Sequence, residues 1–371
     1  MSGNELDIIA LAKGLNAYVR RLITQVAISE GLSDILKNPK SIIELADIQG
    51  YRNLKLLRKF VLSLSSIGVF KQVGDEFEWV GSDTRITPEE KMVEQYGEPW
   101  LLLLQLYAKA FPRILRGSPP SPTQDVGICD SINSTELYEF VWREAMKVSE
   151  LPKDSVVLDV GCRTGWSTIY LLEELKPKTI VAIDNSESYI DVAIDNISEF
   201  KPEHDNVNFL IHDFRKELSP VKLGLEESVG VVFVSYLFHW YEKKDILKIL
   251  INLRKILDKG AVVFFLQPLV AYRDQPRHFE VLLHSEKGYK NYPEYADFAD
   301  MIVSAGFRFP RREHNLFLWT YVWDEEQEET GTPTSDAPRF CSKCGRELPL
   351  SAIFCVNCGN ILKYRLAYPL I

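Results

Sequence analysis

The stretch VVLDVGCRTGWSTIYLLEEL, Val156 to Leu175, runs through β-branched residues to an acid, turns through two glycines and leaves with helical spacing. A strand that turns this tightly into a helix belongs to a parallel sheet, because parallel strands need crossovers and bury both faces under helices. The pattern repeats. Apolar runs SVVLDV, TIVAID, VNFLIHD, GVVFVSY and AVVFFLQ alternate with helical segments TGWSTIYLLEEL, SYIDVAIDNISEF and EKKDILKILINLRKIL. YPEYADFADMIVSAG then reads as one more helix, and FRFPRREHNLFLWTYVW as a terminal hairpin. The expected fold class is α/β over residues 151–323, a Rossmann-like parallel sheet closed by an antiparallel hairpin. Ligands of such sheets bind beyond the carboxyl ends of the strands.

Those ends carry polar groups in series. Asp159 closes the first strand, and GCRTG, Gly161 to Gly165, is the turn into the next helix. Glycine lets backbone N–H groups approach a ligand, and a helix N-terminus attracts its negative part. Arg163 sits in the middle of this turn, where a positive φ would make any side chain costly. Its guanidinium either points outward or pairs with a carboxylate of the ligand. The second strand ends in Asp184, placed for ribose hydroxyls. The third ends in Asp213 and Phe214, an acceptor for an adenine amino group and a ring face. The fourth ends in VSYLFHW, which contributes Ser235. Together they specify a nucleoside ligand. A dinucleotide fingerprint reads G-x-G-x-x-G, whereas this turn reads G-x-x-x-G with an acid two residues earlier.

With these residues in view, the region resembles class I S-adenosylmethionine-dependent methyltransferases, whose first motif is D-x-G-x-G-x-G. Asp159, Gly161 and Gly165 match it, and Arg163 replaces the central glycine. Asp184, Asp213 and LRKILDKGAVVFFLQ extend the match, as does AGF, Ala305 to Phe307, before the hairpin. The resemblance implies S-adenosylmethionine as cofactor. The layout of residues 10–323 is similar to that of small-molecule O-methyltransferases, in which an N-terminal winged helix dimerises over the partner's active site. The resemblance therefore implies a homodimer and a small-molecule acceptor, most simply a hydroxyl. In plant-type relatives a catalytic histidine follows strand four, and His239 of FHWYEKK falls on that position. An imidazole suits a general base; the alternative is that His239 and Trp240 merely line the pocket. Trp240, with Trp100 and Tyr107 from the helical segment, is expected to face the acceptor.

Upstream, residues 1–88 give helices followed by GVFKQVGDEFEWV, a hairpin round a Gly-Asp turn, in the order of a winged helix. Ser41 and Glu44 form a capping box. Lys55, Arg58 and Lys59 would suit DNA phosphates, but with no basic stripe or arm a solvated helix face is the favoured reading. Residues 89–150 are read as a helical linker and substrate cap, with SPPSPTQDVG as a loop and the Tyr138, Phe140 and Trp142 stripe as core. LVAYRDQPRHFEVLLHSEKGYKNYPEY spells no recognisable pocket.

Asp324 to Pro338 carries six acids and no Lys or Arg, so most of the net charge of −9 belongs to one acidic linker. Beyond it, in 339–371, Cys341, Cys344, Cys355 and Cys358 make C-x2-C-x10-C-x2-C, each pair followed by glycine. Four thiolates suit a structural Zn²⁺, and the segment resembles the zinc ribbons of many archaeal proteins. It is read as a module able to bind an unidentified protein or nucleic acid. Cys129 and Cys162 are isolated, which argues against a disulfide framework. No apolar run reaches the ~18 residues of a membrane span, and MSGNELDIIALAK lacks signal-peptide features. The expectation is a cytoplasmic enzyme with no membrane partner. Two alternatives stand beside it: a regulator that uses the methyltransferase fold as a ligand sensor, and a methyltransferase acting on protein or RNA.

Overall fold

The computed structural model describes residues 8–321 except 82–84, 122–124, 148–153, 226–227, 271–277, 309–310 and 314–316, together with 339–340 and 347–348. Leu11, Leu15, Val19, Leu22 and Val26 recur at helical spacing and are buried along one side of α1 (Ile8–Ser29). After α2 (Leu32–Ile35) and β1 (Lys40–Ser41), α3 (Ile42–Gln49) starts from a complete capping box. The Ser41 hydroxyl accepts the Glu44 N–H, and the Glu44 carboxylate accepts the Ser41 N–H at 2.8 Å. Helix α4 (Leu54–Ser66) precedes the hairpin of β2 (Phe70–Val73) and β3 (Glu76–Trp79), and the three strands pair antiparallel in the order β1-β3-β2. Lys59 of α4 meets Glu280 at 2.8 Å and Asn291 at 2.7 Å, so this cation is spent on the chain's own acid.

Helices α5 (Pro88–Tyr96) and α6 (Glu98–Leu115) are separated at Gly97 alone. Pro99 falls in the first turn of α6, where its missing N–H has no helical partner to lose. The loop reading of residues 118–127 holds only in part. Asp125 accepts the Ile128 N–H and starts a helix, α7 (Val126–Asn133), which leads to α8 (Glu136–Lys147).

The central sheet has strands β4 (Val156–Val160), β5 (Thr179–Asp184), β6 (Val207–Ile211), β7 (Val229–Ser235), β8 (Leu257–Leu266), β9 (Arg311–Glu313) and β10 (Phe317–Tyr321). Its order is β6-β5-β4-β7-β8-β10-β9, parallel through β8, with β10 antiparallel to β8. Between them run α9 (Trp166–Leu175), α10 (Glu187–Phe200), α11 (Lys243–Arg254), α12 (His278–Leu283) and α13 (Tyr295–Ser304). Two buried apolar clusters cover the two faces of the sheet, which is why its inner strands are apolar without alternation. Strand order reverses between β4 and β7, and the crevice at that switch opens at their carboxyl ends. The segment after β8 departs from the sheet. Val270, Val281, Leu282, Tyr289 and Tyr292 join the core of the N-terminal helices.

Residues Met1–Val322 form one compact unit and Trp323–Pro369 another. In the second, β11 (Arg339–Phe340) and β12 (Glu347–Leu348) pair antiparallel. No helix among the described residues is long and apolar enough to cross a membrane.

Candidate active site

The turn after β4 is held from two sides. The Gly161 N–H, at φ 79°, donates to the Ile183 carbonyl at 2.8 Å, which draws the chain across to the end of β5. Gly165, at φ 85°, caps α9 where α10 comes closest. A Cβ there would stand 3.0–3.2 Å from Ala193. Asp159 lies behind the turn, fully buried, and its Oδ2 accepts Ser167 Oγ at 2.7 Å and Thr168 Oγ1 at 2.8 Å. Its Oδ1 is buried with no partner among the described residues. Burial outweighs the two hydroxyls, and with the nearby Asp184 charge it pushes the carboxyl up to about 6.

A cleft of about 270 Å³ opens in front of the turn, lined by Gly161, Asp184, Tyr189, Phe214, Ser235 and Tyr241 among others. Asp184 accepts the Arg163 N–H at 3.1 Å and the Ser186 N–H at 3.0 Å, one on each oxygen, which leaves lone pairs for hydroxyl donors. Asp213 does not line this cleft. Its carboxylate is taken by Arg215 at 3.0 and 3.1 Å, a partner two residues away that the sequence reading overlooked. That pairing holds its carboxyl below the usual range. A cleft at the topological switch with an acid at a strand end and an aromatic face fits an adenosyl compound.

A second, smaller cavity of about 80 Å³ lies alongside, lined by Trp100, Ile132, Tyr138, His239, Phe279 and Tyr292 among others. Tyr107 does not reach it. That ring is fully buried in the N-terminal core, and its carbonyl accepts the Ser285 hydroxyl at 3.1 Å. Several lining residues come from segments that sequence reasoning left blank: Cys129, Ile132 and Asn133 from α7, and Pro268, Phe279, Leu283 and Tyr292 from the segment after β8. Asp130 pins α7 in place, since its Oδ1 accepts Trp166 Nε1 at 2.9 Å and Asn196 Nδ2 at 2.8 Å. The available signal was Asp125 four residues before Cys129, a helix cap just after a Pro-rich loop.

Arg163, Tyr236 and Trp240 line both cavities and form the wall between them. Arg163 has φ 50° and Tyr236 φ 46°, two of the four non-glycine residues in the left-handed region among the described residues. Such backbone costs on the order of 1–3 kcal/mol per residue and concentrates where a site demands it. The Arg163 side chain turns toward α7, where Nη1 donates to Cys129 Sγ at 3.7 Å.

His239 is buried at the far side of the second cavity, its ring 4.8 Å from that of Trp240 and 5.6 Å from that of Tyr292. Gln267 contacts its Nδ1 at 3.4 Å. The Gln267 amide is oriented by the Phe238 N–H on Oε1 at 2.9 Å and by the Pro268 carbonyl on Nε2 at 3.1 Å. Nε2 is thus the donor to Nδ1, and the hydrogen-bond network assigns the ring proton to its other nitrogen. Burial first, and the Arg163 charge second, push this imidazole down to about 3.

Cys341, Cys344, Cys355 and Cys358 lie outside the described residues, and no metal-binding cluster occurs among those described.

Against known proteins, residues 157–260 match the family of methyltransferase domains and residues 340–362 the zinc-ribbon domain. A malonyl-[acyl-carrier protein] O-methyltransferase of Halalkalibacterium halodurans is 32% identical over 87 residues, 24% of this chain and 30% of that protein. The chain thus matches less than a third of that relative's length. Among solved structures, the CurJ carbon methyltransferase superposes with a TM-score of 0.56 at 15% identity, over 84% of this chain and 92% of that one. An O-methyltransferase family protein from Burkholderia thailandensis superposes with a TM-score of 0.53 at 15% identity, over 86% and 99% of the two chains. The shared architecture therefore takes in the N-terminal helices as well as the sheet.

Proposed function

We propose that this chain is an S-adenosylmethionine-dependent methyltransferase that acts on a small molecule at oxygen. The observation that carries the reading is the pair of adjoining cavities with the common wall of Arg163, Tyr236 and Trp240. One faces the nucleoside groups at the strand ends, the other is a small aromatic chamber. Juxtaposing two bound reactants is the main service a protein performs in a displacement reaction. When bound, the cofactor supplies an electrophilic methyl group on a sulfonium.

The chain's own residues do the rest. Asp184 offers lone pairs to ribose hydroxyls, and Phe214 gives the cleft an apolar face. The buried rings of Tyr138 and Tyr292, with Trp240, exclude water from the chamber. Of the two roles open to His239, general base or pocket lining, a neutral ring with its proton on Nε2 favours the second: it is a hydrogen-bond donor, and we assign it the orientation of the acceptor. A structural zinc at the four C-terminal cysteines, a homodimer through residues 1–88 and a cytoplasmic site of action belong to the same proposal.

Calorimetry with S-adenosylhomocysteine tests the cofactor assignment directly, and no heat at millimolar ligand would refute it. Labelled cofactor in cell extract should pass its methyl group to small molecules; label in protein or RNA would overturn the choice of acceptor.

A further inference from the structure

The wall between the cavities carries a guanidinium that forms no hydrogen bond to a carboxylate among the described residues. The guanidinium of Arg163 has one described hydrogen bond, to the Cys129 thiol at 3.7 Å. Asp184, the nearby acid, bonds the backbone N–H of Arg163 instead. Tyr189, Tyr138 and Asp184 act on the charge without a hydrogen bond to it, and a guanidinium drawn out of water with no bonded anion is costly.

The charge faces the smaller cavity. Cys129 lines that cavity and is absent from the lining of the cleft. His239, which also lines only the smaller cavity, feels the same charge, second to its burial. No Asp, Glu or Lys lines this cavity, and Leu103, Ile132, Val141, Phe279 and Leu283 make the rest of it largely apolar.

Resting on the methyltransferase reading, we propose that Arg163 holds a carboxylate of the acceptor, which is therefore a small, otherwise apolar carboxylic acid bound as its anion. The planar fork of the guanidinium matches two carboxylate oxygens. His239 Nε2–H supplies a further donor on the same cavity. Transfer would form a bond between one carboxylate oxygen and the methyl carbon as the methyl–sulfur bond breaks, giving the methyl ester and S-adenosylhomocysteine; the ionised acceptor has no proton to lose, so a site without a general base is adequate to it. The residue that breaks the glycine pattern of the turn is, on this account, what selects the substrate.

The test measures binding, without turnover, to the full chain and to Arg163→Gly and Arg163→Lys. The probes are propionate and benzoate, their neutral amides, and S-adenosylhomocysteine. At φ 50° glycine is the less strained residue, so Arg163→Gly should fold, and a thermal melt verifies it; Arg163→Gln serves if it does not. At least one of the two acids should bind the native chain about tenfold or more tighter than its amide, the scale of one charge-assisted hydrogen bond. The preference should vanish in Arg163→Gly and persist in Arg163→Lys. Equal binding of acid and amide by the native chain, or a preference that survives Arg163→Gly, overturns the proposal. So does loss of S-adenosylhomocysteine binding in Arg163→Gly alone, which would assign the guanidinium to the cofactor's own carboxylate. If the native chain does not bind S-adenosylhomocysteine, the methyltransferase reading fails, while acid-over-amide selectivity measured without it still decides the anion site.

Discussion

Gln267 Nε2 lies 3.4 Å from His239 Nδ1, and the same amide is fixed at its other end by the Phe238 N–H. That relationship commits the imidazole to one tautomer, while burial and the Arg163 charge keep it neutral. It has a kinetic consequence. A base of ordinary pKa would impose an acid limb near pH 6.5 on methyl transfer, whereas an imidazole held near 3 imposes none there. The rate–pH profile from about pH 5.5 to 8 should therefore show no titration attributable to His239. His239→Gln should lower the rate without changing the profile's shape. An acid limb that disappears in His239→Gln would restore the general base.

The same depression makes stability depend on pH. Between 6.5 and about 3 the unfolded chain takes up a proton at His239 that the folded chain refuses. Stability from the neutral ring is present above pH 6.5 and is lost as pH falls through that window. At pH 5 the loss is about 2 kcal/mol, from 1.36 kcal/mol per pH unit. Urea unfolding at pH 7.5 and pH 5 should show His239→Gln losing about 2 kcal/mol less than the native chain. His278 and His284, also held down by burial, contribute alike to both proteins and cancel.

Asp159 titrates in the opposite sense. Its carboxyl is raised from 3.8 to about 6, so the folded chain binds the proton more readily. Its favourable contribution is present below pH 3.8 and is lost as pH rises through 6. At neutral pH the buried charge costs on the order of 1–3 kcal/mol. Asp159→Asn keeps an acceptor for Ser167 and Thr168 and should raise stability at pH 7.5 by that amount. Weaker binding of S-adenosylhomocysteine in this variant would show that the cofactor reaches Oδ1, which has no partner among the described residues. A stabilised variant with unchanged cofactor affinity would show that Asp159 serves the fold alone.

Gly165→Ala and Gly224→Ala separate two costs of a left-handed glycine. Gly165 has φ 85° and Ala193 within 3.0–3.2 Å of an added Cβ, while Gly224 has φ 67° and nothing within 4 Å. Backbone strain alone costs roughly 1–2 kcal/mol, and the clash with α10 adds roughly 1–3 kcal/mol at Gly165. Gly165→Ala should thus be the more destabilising by at least about 1 kcal/mol in urea melts, and it should also impair binding in the cleft. Equal losses would mean that α10 yields freely.

How far the sequence reached follows from the range of each signal. Strand alternation, the Gly161 and Gly165 turn and the Ser41–Glu44 box are local, and each was legible from residues a few positions apart. The wall was half legible. Arg163 was conspicuous because it broke a glycine pattern, but the direction of its side chain depends on Cys129, 34 residues away. The aromatic chamber was legible only in part: Trp100, His239 and Trp240 were expected at the acceptor, but Ile132, Phe279 and Tyr292 join them only through packing between segments remote in the chain. Asp213 and Tyr107 went elsewhere for the same kind of reason. Arg215 offered the acid a nearer partner, and the N-terminal core enclosed the ring.

The four-cysteine segment provides the last expectation. Its C-x2-C pairs lie in the stretch that matches the zinc-ribbon domain, and Trp323–Pro369 is a compact unit separate from Met1–Val322. On the proposed zinc site, so short a segment would draw its folding energy from metal–thiolate bonds. Elemental analysis should find one zinc per chain, removed in Cys341→Ser and Cys355→Ser. The main thermal transition and S-adenosylhomocysteine binding should be unchanged in both variants. A lower main transition after zinc loss would show that the ribbon braces the catalytic unit.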